Sequence, residues 1–207
     1  RGLGDVYKRQ VLTAIDKMDK KYGIQLCEPA YPHYDSHVGR MSGMLLGLFE
    51  NGGVYNHCNA FKIMADCRLG RAEQALSTLH KMIPDSKDNP VSITGAEPYL
   101  FVNCWCMHPS FFTRIWFGWF TGTSAWALRG FYEGICGLRR EYGGLRVQPC
   151  IPGAWKELTL TRTFRGCRYH IHISNTGSGK PEVTVDGNRL ADTLLPVLND
   201  GQIHEVV

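Results

Sequence analysis

The chain of 207 residues lacks the features that mark nucleic-acid-binding and membrane proteins. Its formal net charge is only +4, and the pair Arg139–Arg140 is too small a basic cluster for a nucleic-acid surface. Gly, His, Arg or Asn interrupts the longest apolar runs, so none approaches a membrane span. With 43% hydrophobic and 20% charged residues, the composition predicts a globular protein with a sizeable core.

The eight cysteines lack the spacing of a disulfide framework or a zinc knuckle. Apart from Cys104-Trp105-Cys106 they stand singly, and no C-x-x-C pair occurs. The histidines are also spread apart along the chain. His170 and His172 share a predicted strand and are expected to face solvent, and the sequence does not indicate a third metal ligand for them. We therefore expect buried free thiols, a cytoplasmic location and no metal site.

Both ends of the chain lack ordinary terminal features. Residues 1–10 (RGLGDVYKRQ) contain no initiator Met and no apolar signal-peptide core, and they look like a translated sequencing-adapter remnant. We leave them out of the expected fold. The chain stops at the strand-like run IHEVV, so we expect it to be truncated at both ends.

The first two-thirds of the chain carries helical periodicity between long loops. A weak helical pattern covers residues 11–21, and a stronger one begins with Asn59 as a possible cap and continues to Pro84. A third helix is predicted over residues 124–142, where Gly143–Gly144 would stop it. This part is therefore expected to be mainly α.

The periodicity changes from helical to alternating after the segment IPGAW (151–155). From Trp155 onward apolar residues recur at every second position, and Asp186–Gly187 is a typical hairpin turn. The fold class predicted is mainly α with a C-terminal β portion, which forms a small antiparallel sheet or half-sandwich.

The stretch GWFTGTSAW (118–126) places small and hydroxyl residues among aromatic ones at an expected helix start. Thr121 and Thr123 offer hydroxyls, and Gly122 lets its amide approach a ligand. Because the first amides of a helix lack partners and lie at its positive end, the stretch is a candidate anion site, most naturally for phosphate. The alternative is that Thr121 or Thr123 merely caps the helix.

Two further loop motifs carry candidate polar groups. In ENGGVYNH (50–57), His57 lies at another helix start and could donate a charge-assisted hydrogen bond to phosphate, or it could be a structural imidazole. The Asn-Gly-Gly after Glu50 predicts a tight turn. In EPYLFVN (97–103), Glu97 is either a sugar-binding carboxylate or a capping or ion-paired acid.

Five motifs in this order resemble the C-terminal part of a known enzyme family: ENGG-x-x-x-H, EPY, W-x-TGT-x-x-W, EYGGLRVQPCIPGAW and TRTFRGCRYHI. The chain is similar, from about residue 22 to 175, to the inverting β-glycoside phosphorylases of glycoside hydrolase family 94. This family includes the cellobiose, chitobiose and cellodextrin phosphorylases. The resemblance implies that residues 11–149 are part of an (α/α)6 barrel and residues 150–207 a truncated β-rich domain.

The resemblance also implies an activity and a set of site residues. Such enzymes cleave a β-glycosidic bond with inorganic phosphate as co-substrate and no cofactor, and they release an α-sugar 1-phosphate. The phosphate-binding positions map onto His57, Thr121 and Gly122. The substrate-binding candidates are Arg40, Glu50, Glu97 and Asn103.

The proton donor is not among these residues. In the family it is an Asp upstream of the ENGG motif, and neither Asp16, Asp19 nor Asp35 has the expected surroundings. We therefore expect the chain alone to be inactive. Phosphate is already an anionic nucleophile, so no general base is required.

Departures from the family pattern bear on the substrate. Phe49 stands where cellobiose phosphorylases carry Lys, and Asn103 stands where family members often have Gln. Arg40 lies on the loop that in the family faces the acceptor sugar. It could meet an acidic or N-acetylated acceptor, or it could pair with Asp35.

Three other functions remain open from the sequence. The chain could be the phosphorylase-like module of a cyclic β-glucan synthase, a non-catalytic carbohydrate-binding remnant, or a glucoamylase-like hydrolase. The hydrolase would need a second carboxylate near residues 118–126, and none is present. The expected partners are a β-linked oligosaccharide and phosphate, with a possible homodimer for the full-length protein, and neither nucleic acid nor a membrane.

Overall fold

The computed structural model describes residues 3–83, 87, 90–111, 114–179 and 181–207. The chain divides into two compact units, each assembled from two segments. Unit 1 comprises Arg1–Lys62 and Ser77–Leu128, and unit 2 comprises Ile63–Leu76 and Arg129–Val207. No helix within the described ranges combines the length and the apolar character needed to cross a membrane.

Helices and short helical turns alternate with loops in the first two-thirds of the chain. The α-helices are α1 (Leu3–Met18), α2 (Asn56–Arg68), α3 (Ala72–Met82), α4 (Val91–Thr94) and α5 (Thr123–Arg129). Two 3₁₀ turns cover Gly39–Gly43 and Pro109–Phe111, and a π-helical turn, Gly130–Ile135, continues α5.

The predicted helix bounds are wrong in the first half of the chain. The helix expected over residues 11–21 is α1, which begins at Leu3 and ends at Met18. The helix expected from Asn59 is two helices, because Gly70 takes a positive φ of 72° and the first helix ends before it, at Arg68. Asn59 lies inside α2 rather than at its cap, and Pro84 lies outside the described residues.

The helix predicted over residues 124–142 is also wrong in its second half. After the π-helical turn the chain becomes a strand, Leu138–Glu141. Gly137 causes the change: its φ is 71°, and a Cβ there would lie 2.0 Å from the Gln148 carbonyl oxygen. Leu138, which fits the helical apolar spacing, instead packs into a β core.

Thirteen strands of the described residues form four sheets. The strands are β1 (Asp19–Lys20), β2 (Gly23–Ile24), β3 (Val54–Tyr55), β4 (Cys104–Trp105), β5 (Ile115–Trp116), β6 (Leu138–Glu141), β7 (Gly144–Val147), β8 (Glu157–Phe164), β9 (Cys167–Ser174), β10 (Thr184–Val185), β11 (Asn188–Arg189), β12 (Leu194–Leu195) and β13 (Ile203–Val206). The sheet orders are β1-β2 and β3-β4-β5 in unit 1, and β12-β7-β6 and β11-β10-β13-β9-β8 in unit 2.

Unit 1 has a small core beside its three-stranded sheet. The side chains of Tyr22 and Trp105 are fully buried and stack, with ring centroids 4.8 Å apart and planes inclined by 19°. Val54 and Val102 are buried with them. The burial of these four side chains stabilises the short strands β3 and β4, and thereby holds the ends of the loops attached to them.

Unit 2 confirms the predicted alternating pattern. β8 and β9 pair antiparallel along their whole length, from Glu157↔Ser174 to Phe164↔Cys167, and Asp186–Gly187 forms the turn between β10 and β11. Tyr169 and Ile171 point into the buried core. One pair departs from the predicted antiparallel sheet, because β13 runs parallel to β9.

His170 and His172 lie on the outer face of β9, as predicted. Both side chains are partly exposed, and both face one carboxylate on β13. His170 Nδ1 lies 3.1 Å from Glu205 Oε1, and His172 Nε2 lies 3.5 Å from Glu205 Oε2.

Candidate phosphate-binding site

The turn before α2 places His57 through a series of close backbone contacts. The Gly53 amide donates to the Phe49 carbonyl oxygen (2.9 Å), and a Cβ on Gly53 would lie 2.6 Å from the Phe49 amide nitrogen. Gly52 has a φ of 85°. Glycine is therefore required at both positions of the turn, which then leads through β3 directly into α2 and His57.

His57 and Gly122 meet although 65 residues separate them in sequence. A Cβ built on Gly122 would lie 2.6 Å from His57 Nε2 and 3.4 Å from Cε1. Any larger residue at position 122 would displace the imidazole. Because Gly122 has no side chain, the His57 ring can lie directly against the backbone at the start of α5.

Tyr55 also contacts the imidazole of His57. Its ring stacks on that of His57, with centroids 5.7 Å apart and planes inclined by 20°. Its hydroxyl lies 3.4 Å from Asn103 Nδ2, which donates to it. The sequence analysis did not identify Tyr55 as a site residue; its position two residues before His57, on a strand, is the signal that could have done so.

The two threonines at the start of α5 are bonded to each other. Their hydroxyl oxygens lie 2.5 Å apart, and the Thr123 amide donates to Thr121 Oγ1 at 3.1 Å. Thr121 is thus a helix-capping residue, and Thr123 is fully buried. These bonds fix the Thr121 side chain against Thr123, at the start of the helix, where the first amides lack partners within the helix.

Asn103 is a nearly buried residue that ties the loop before α5 to β3. Its Nδ2 donates to the Phe120 carbonyl oxygen (3.0 Å), its amide to the Phe117 carbonyl oxygen (2.9 Å), and its own carbonyl accepts from the Asn56 amide (2.9 Å). Asn103 therefore fixes the position of the residues on both sides of the candidate site.

The other predicted site residues are Glu97, Glu50 and Arg40. Glu97 is exposed, and its Oε2 would be 3.3 Å from a Cβ on Gly118, so its carboxylate lies against the loop that leads to Thr121. Glu50 is half-buried in the tight turn. Arg40 is exposed in the turn Gly39–Gly43. Met44 follows this turn, and its carbonyl oxygen accepts from the side chain of Asn51, the residue after Glu50 (2.9 Å).

Aromatic side chains border the loop before α5. Phe49 stacks on Phe117 with ring centroids 5.7 Å apart and meets the edge of Trp116 at 6.0 Å. Trp119 and Phe120 are 72% and 81% exposed. Such exposed rings are suited to stacking on the C–H faces of sugars.

The arrangement brings together His57, Thr121 and Gly122 and connects them to Asn103 through Tyr55 and Phe120. An imidazole N–H, a hydroxyl and the amides of a helix start are all hydrogen-bond donors. Donors of this kind favour an anion. The geometry does not place Arg40 or Glu50 in direct contact with these donors.

The sequence of the chain matches a known family over most of its length. Residues 3–137 match the catalytic domain of the glycosyl hydrolase 94 superfamily. The chain belongs to the glycosyl hydrolase 94 superfamily. Residues 138–179 match the C-terminal domain of glycosyl hydrolase family 65.

Two curated relatives of the chain are phosphorylases, which together with the family match confirms the resemblance stated from the motifs. The chain is 37% identical over 203 residues to a solabiose phosphorylase of Paenibacillus borealis, covering 95% of this chain and 26% of the relative. It is 36% identical over 193 residues to a 3-O-β-D-glucopyranosyl-β-D-glucuronide phosphorylase of the same organism, covering 90% and 25%. The chain thus spans about a quarter of the length of these relatives.

A more distant relative belongs to a larger type of protein. The chain is 27% identical over 199 residues to a cyclic β-(1,2)-glucan synthase of Rhizobium meliloti. The match covers 90% of this chain and 7% of that protein.

Proposed function

We propose that the chain forms the phosphate-binding part of an inverting β-glycoside phosphorylase. The observation that carries the proposal is the contact of the His57 imidazole with Gly122, beside the Thr121 hydroxyl, in a chain of the glycosyl hydrolase 94 superfamily. The names of two curated relatives, both disaccharide phosphorylases, support it.

The proposed reaction uses phosphate as the nucleophile. His57 Nε2–H, the Thr121 hydroxyl and the Gly122 backbone would hold phosphate on one face of the sugar. Attack on the anomeric carbon from that face, while a general acid protonates the leaving oxygen on the other, gives an α-sugar 1-phosphate with inversion. The acid would be an Asp outside this chain, so the chain alone would bind phosphate without turnover.

The proposed substrate-binding residues are the exposed Glu97, the half-buried Glu50 and the buried Asn103. Glu97 and Glu50 would accept hydrogen bonds from sugar hydroxyls. Both described side-chain bonds of Asn103 come from its Nδ2, so its Oδ1 is the atom left for a substrate hydroxyl. Trp119 and Phe120 would stack on sugar rings.

Arg40 is the proposed contact for the acceptor sugar. It is exposed and takes part in none of the ion pairs of the described residues, while Asp35, its alternative partner, lies 3.2 Å from His37 Nδ1. The name of one relative includes a glucuronide, an acidic sugar. An unpaired guanidinium suits a sugar carboxylate, to which it can bond in a bidentate manner.

The larger architecture is part of the same proposal. Residues 11–149 would contribute to an (α/α)6 barrel and residues 150–207 to a β-rich domain, in a cytoplasmic homodimer. The match of residues 3–137 to a catalytic domain supports this assignment of the helical part.

A second candidate function is the phosphorylase-like module of a cyclic β-glucan synthase. The match to such a synthase over 90% of the chain favours it. The two functions differ in substrate: the phosphorylase would act on a β-linked disaccharide or short oligosaccharide, whereas the module would act on a longer glucan chain.

The test uses the complete open reading frame that encodes these residues. Its product is incubated with solabiose, the glucosyl glucuronide, cellobiose, laminaribiose, sophorose, cellobionate, diacetylchitobiose or a β-(1,2)-glucan, with and without phosphate. Sugar 1-phosphate is followed by ³¹P NMR. Phosphate-dependent release from one disaccharide supports the phosphorylase, release only from the glucan supports the synthase module, and phosphate-independent release of free sugars contradicts both.

The site assignment is tested by Gly122→Ala, with Ser124→Ala as the matched control. The alanine Cβ would occupy the space of His57 Nε2, so we expect a rise in the KM for phosphate of at least tenfold. Ser124 is exposed in the same helical turn, and its replacement should leave that KM unchanged. An unchanged KM in Gly122→Ala would remove the phosphate site from this position.

A further inference from the structure

A group of three metal-ligating side chains lies in unit 2 and takes no part in the proposed phosphorylase. Cys167, Asp200 and His204 each offer one ligand atom, and these atoms all lie within 4.8 Å of one another. Cys167 begins β9, His204 is on β13, and Asp200 is in the loop before β13. The parallel pairing of β13 with β9 brings the three together, because it sets His204 opposite Tyr169.

The loop is tied to β9 by backbone hydrogen bonds. The Gly201 amide donates to the Gly166 carbonyl oxygen (3.0 Å), and the Arg168 amide donates to the Gln202 carbonyl oxygen (3.0 Å). These bonds lie on both sides of Cys167. The backbone positions of Cys167 and Asp200 relative to each other are therefore set by these bonds.

The Cys167 sulfur has surroundings that suit a thiolate. It is 2% exposed, and the Asn199 amide points at Sγ from 3.1 Å. The Tyr169 hydroxyl lies 3.8 Å from the same sulfur but donates its proton to the Pro196 carbonyl oxygen (2.7 Å), so the Asn199 amide is the donor that faces Sγ. Donors directed at a sulfur favour its charged form, and the thiolate is the form that binds metals.

His204 is oriented as a metal-binding histidine is. Its Nδ1 lies 2.7 Å from Asp186 Oδ2, and Asp186 is itself fixed because its Oδ1 accepts from the Glu205 amide (2.9 Å). A carboxylate on Nδ1 keeps a proton on that nitrogen, so Nε2, which lies beside Asp200 Oδ1, is the atom that would bind the ion in place of its own proton. The carboxylate–histidine–metal arrangement of known zinc sites has this form.

Asp200 completes the group and leaves it accessible from solvent. Its Oδ1 lies 3.1 Å from His204 Nε2 and accepts from the Gln202 amide at 2.9 Å. Its side chain is 42% exposed, whereas Cys167 and His204 are buried. An ion could therefore enter past Asp200 and be shielded by the other two ligands.

We propose that Cys167, Asp200 and His204 bind one divalent metal ion of the Zn²⁺ class, with Asp186 holding the histidine from outside and a water in the fourth position. The thiolate and the carboxylate together carry two negative charges, which a divalent cation neutralises. A thiolate excludes Mg²⁺ and Ca²⁺ as the preferred ions, while mixed sulfur, nitrogen and oxygen ligands suit Zn²⁺ and Co²⁺.

The ion would act as a structural link. It would join the start of β9, the loop at Asp200 and β13, in addition to the strand pairing of β13 with β9. This proposal does not depend on the phosphorylase function, and it departs from the prediction that the chain needs no metal. That prediction considered the spacing of histidines along the sequence, and the sequence separates Cys167 from His204 by 37 residues.

The arrangement without metal would be a charged His204 held between Asp186 and Asp200, with Cys167 as an ordinary buried thiol. Metal titration distinguishes the two. The reduced, chelator-treated 207-residue chain is titrated with Co²⁺ under anaerobic conditions. We expect one Co²⁺ per chain, a thiolate-to-cobalt charge-transfer band in the near ultraviolet, and loss of that band when Zn²⁺ is added.

Variants assign the ligands. Cys167→Ser should abolish the charge-transfer band, and Cys150→Ser, a thiol of the same unit outside the cluster, should keep it. Asp186→Asn should keep the band and weaken Co²⁺ affinity by about 10- to 100-fold, as loss of an outer partner does. Circular dichroism checks that each variant is folded.

X-ray absorption of the unmodified chain with Zn²⁺ provides a test that needs no variant. We expect one sulfur at about 2.3 Å and nitrogen or oxygen ligands at about 2.0–2.1 Å. Two or more sulfur ligands, a band that survives Cys167→Ser, or no stoichiometric binding would each overturn the proposal.

Discussion

The two units of the molecule are stabilised in different ways. In unit 2, apolar residues from β6 to β13 form one continuous buried core, which includes Leu145, Tyr169, Ile171 and Leu195. In unit 1 the strands have two residues each, and long loops are tied down by asparagine side chains that bond to backbone atoms. The candidate phosphate site lies in the unit whose loops are fixed by polar bonds.

The difference shows why a binding site can form in unit 1. A loop that is positioned by an amide side chain keeps its backbone donors at fixed places without burying them under apolar residues. Asn56 and Asn103 do this for the two loops that carry His57 and Thr121: Asn56 Nδ2 donates to the Val102 carbonyl oxygen (2.9 Å) and Asn103 Nδ2 to the Phe120 carbonyl oxygen (3.0 Å). Preorganised donors are what anion binding needs.

The largest effect on stability is expected for a core truncation in unit 2. Ile171 is 1% exposed and lies between Leu160 on β8 and Val206 on β13. Ile171→Ala should lower the free energy of unfolding by about 2–5 kcal/mol, because it removes buried methyl groups and leaves a cavity. Urea denaturation measures the change, and hydrogen exchange locates it in unit 2.

The matched control is Ile203→Ala on β13. The Ile203 side chain is 53% exposed, so its truncation should change the free energy of unfolding by about 0.5 kcal/mol or less. Equal losses for both variants would show that the apolar core is not what stabilises unit 2.

A smaller effect is expected for a polar truncation in unit 1. The fully buried Asn51 accepts from the Tyr31 amide (2.8 Å) and donates to the carbonyl oxygens of Tyr31 (3.0 Å) and Met44 (2.9 Å). Asn51→Ala leaves three backbone groups without these partners and should cost about 2 kcal/mol. Faster hydrogen exchange at the Tyr31 amide, with the amides of β8 and β9 unchanged, is the expected readout.

Asn188→Ala serves as the control for this prediction. Asn188 lies on the exposed strand β11, and its side chain makes one long bond of 3.4 Å to the Asp186 carbonyl oxygen. Its loss should change stability by about 0.5 kcal/mol or less. If Asn51→Ala behaves the same way, the loops of unit 1 are held by something other than this asparagine.

The same contrast explains how far the sequence predicts the fold. The alternation from residue 155 predicts β8, β9 and the hairpin at Asp186–Gly187, because each strand signals its buried face through its own neighbouring residues. The helix bounds were wrong where a glycine of positive φ, Gly70 or Gly137, follows the end of a helical segment. The sequence does not show which glycines take a positive φ, and at Gly137 that conformation goes with the close approach of the Gln148 carbonyl oxygen.

The candidate site was predicted only in part. The grouping of His57, Thr121 and Gly122 came from the resemblance of ordered motifs, since spacing alone does not bring together residues of two separate loops. Tyr55 was missed because its role depends on the stacking contact with His57. The cluster around Cys167 was missed for a similar reason, since a parallel strand pair created by the fold assembles it.

The smallest effect is expected from a charged group at the surface of unit 2. Arg146 Nε lies 2.6 Å from Glu141 Oε1, and its Nη1 lies 2.8 Å from Asp192 Oδ1. Hydrogen bonds from this guanidinium hold the pKa of both carboxyls below their ordinary values. Carboxyls whose pKa is lowered by folding stabilise the fold above their unfolded pKa of about 4, and that contribution is lost as the pH falls through the lowered folded values.

Arg146→Gln tests whether these ion pairs contribute to stability and whether salt weakens that contribution. The variant should melt below the unmodified chain at pH 7, and the difference in Tm should close as the pH falls below about 4. Added salt should also shrink it, because exposed ion pairs are screened. In unit 1, Lys81 Nζ lies 2.8 Å from Asp19 Oδ1, and this carboxylate is 21% exposed, whereas Glu141 and Asp192 are 38% and 62% exposed. The Tm loss of Lys81→Gln should therefore depend less on salt. Equal salt dependence of the two variants would contradict the view that the exposure of the carboxylate decides how far each ion pair is screened.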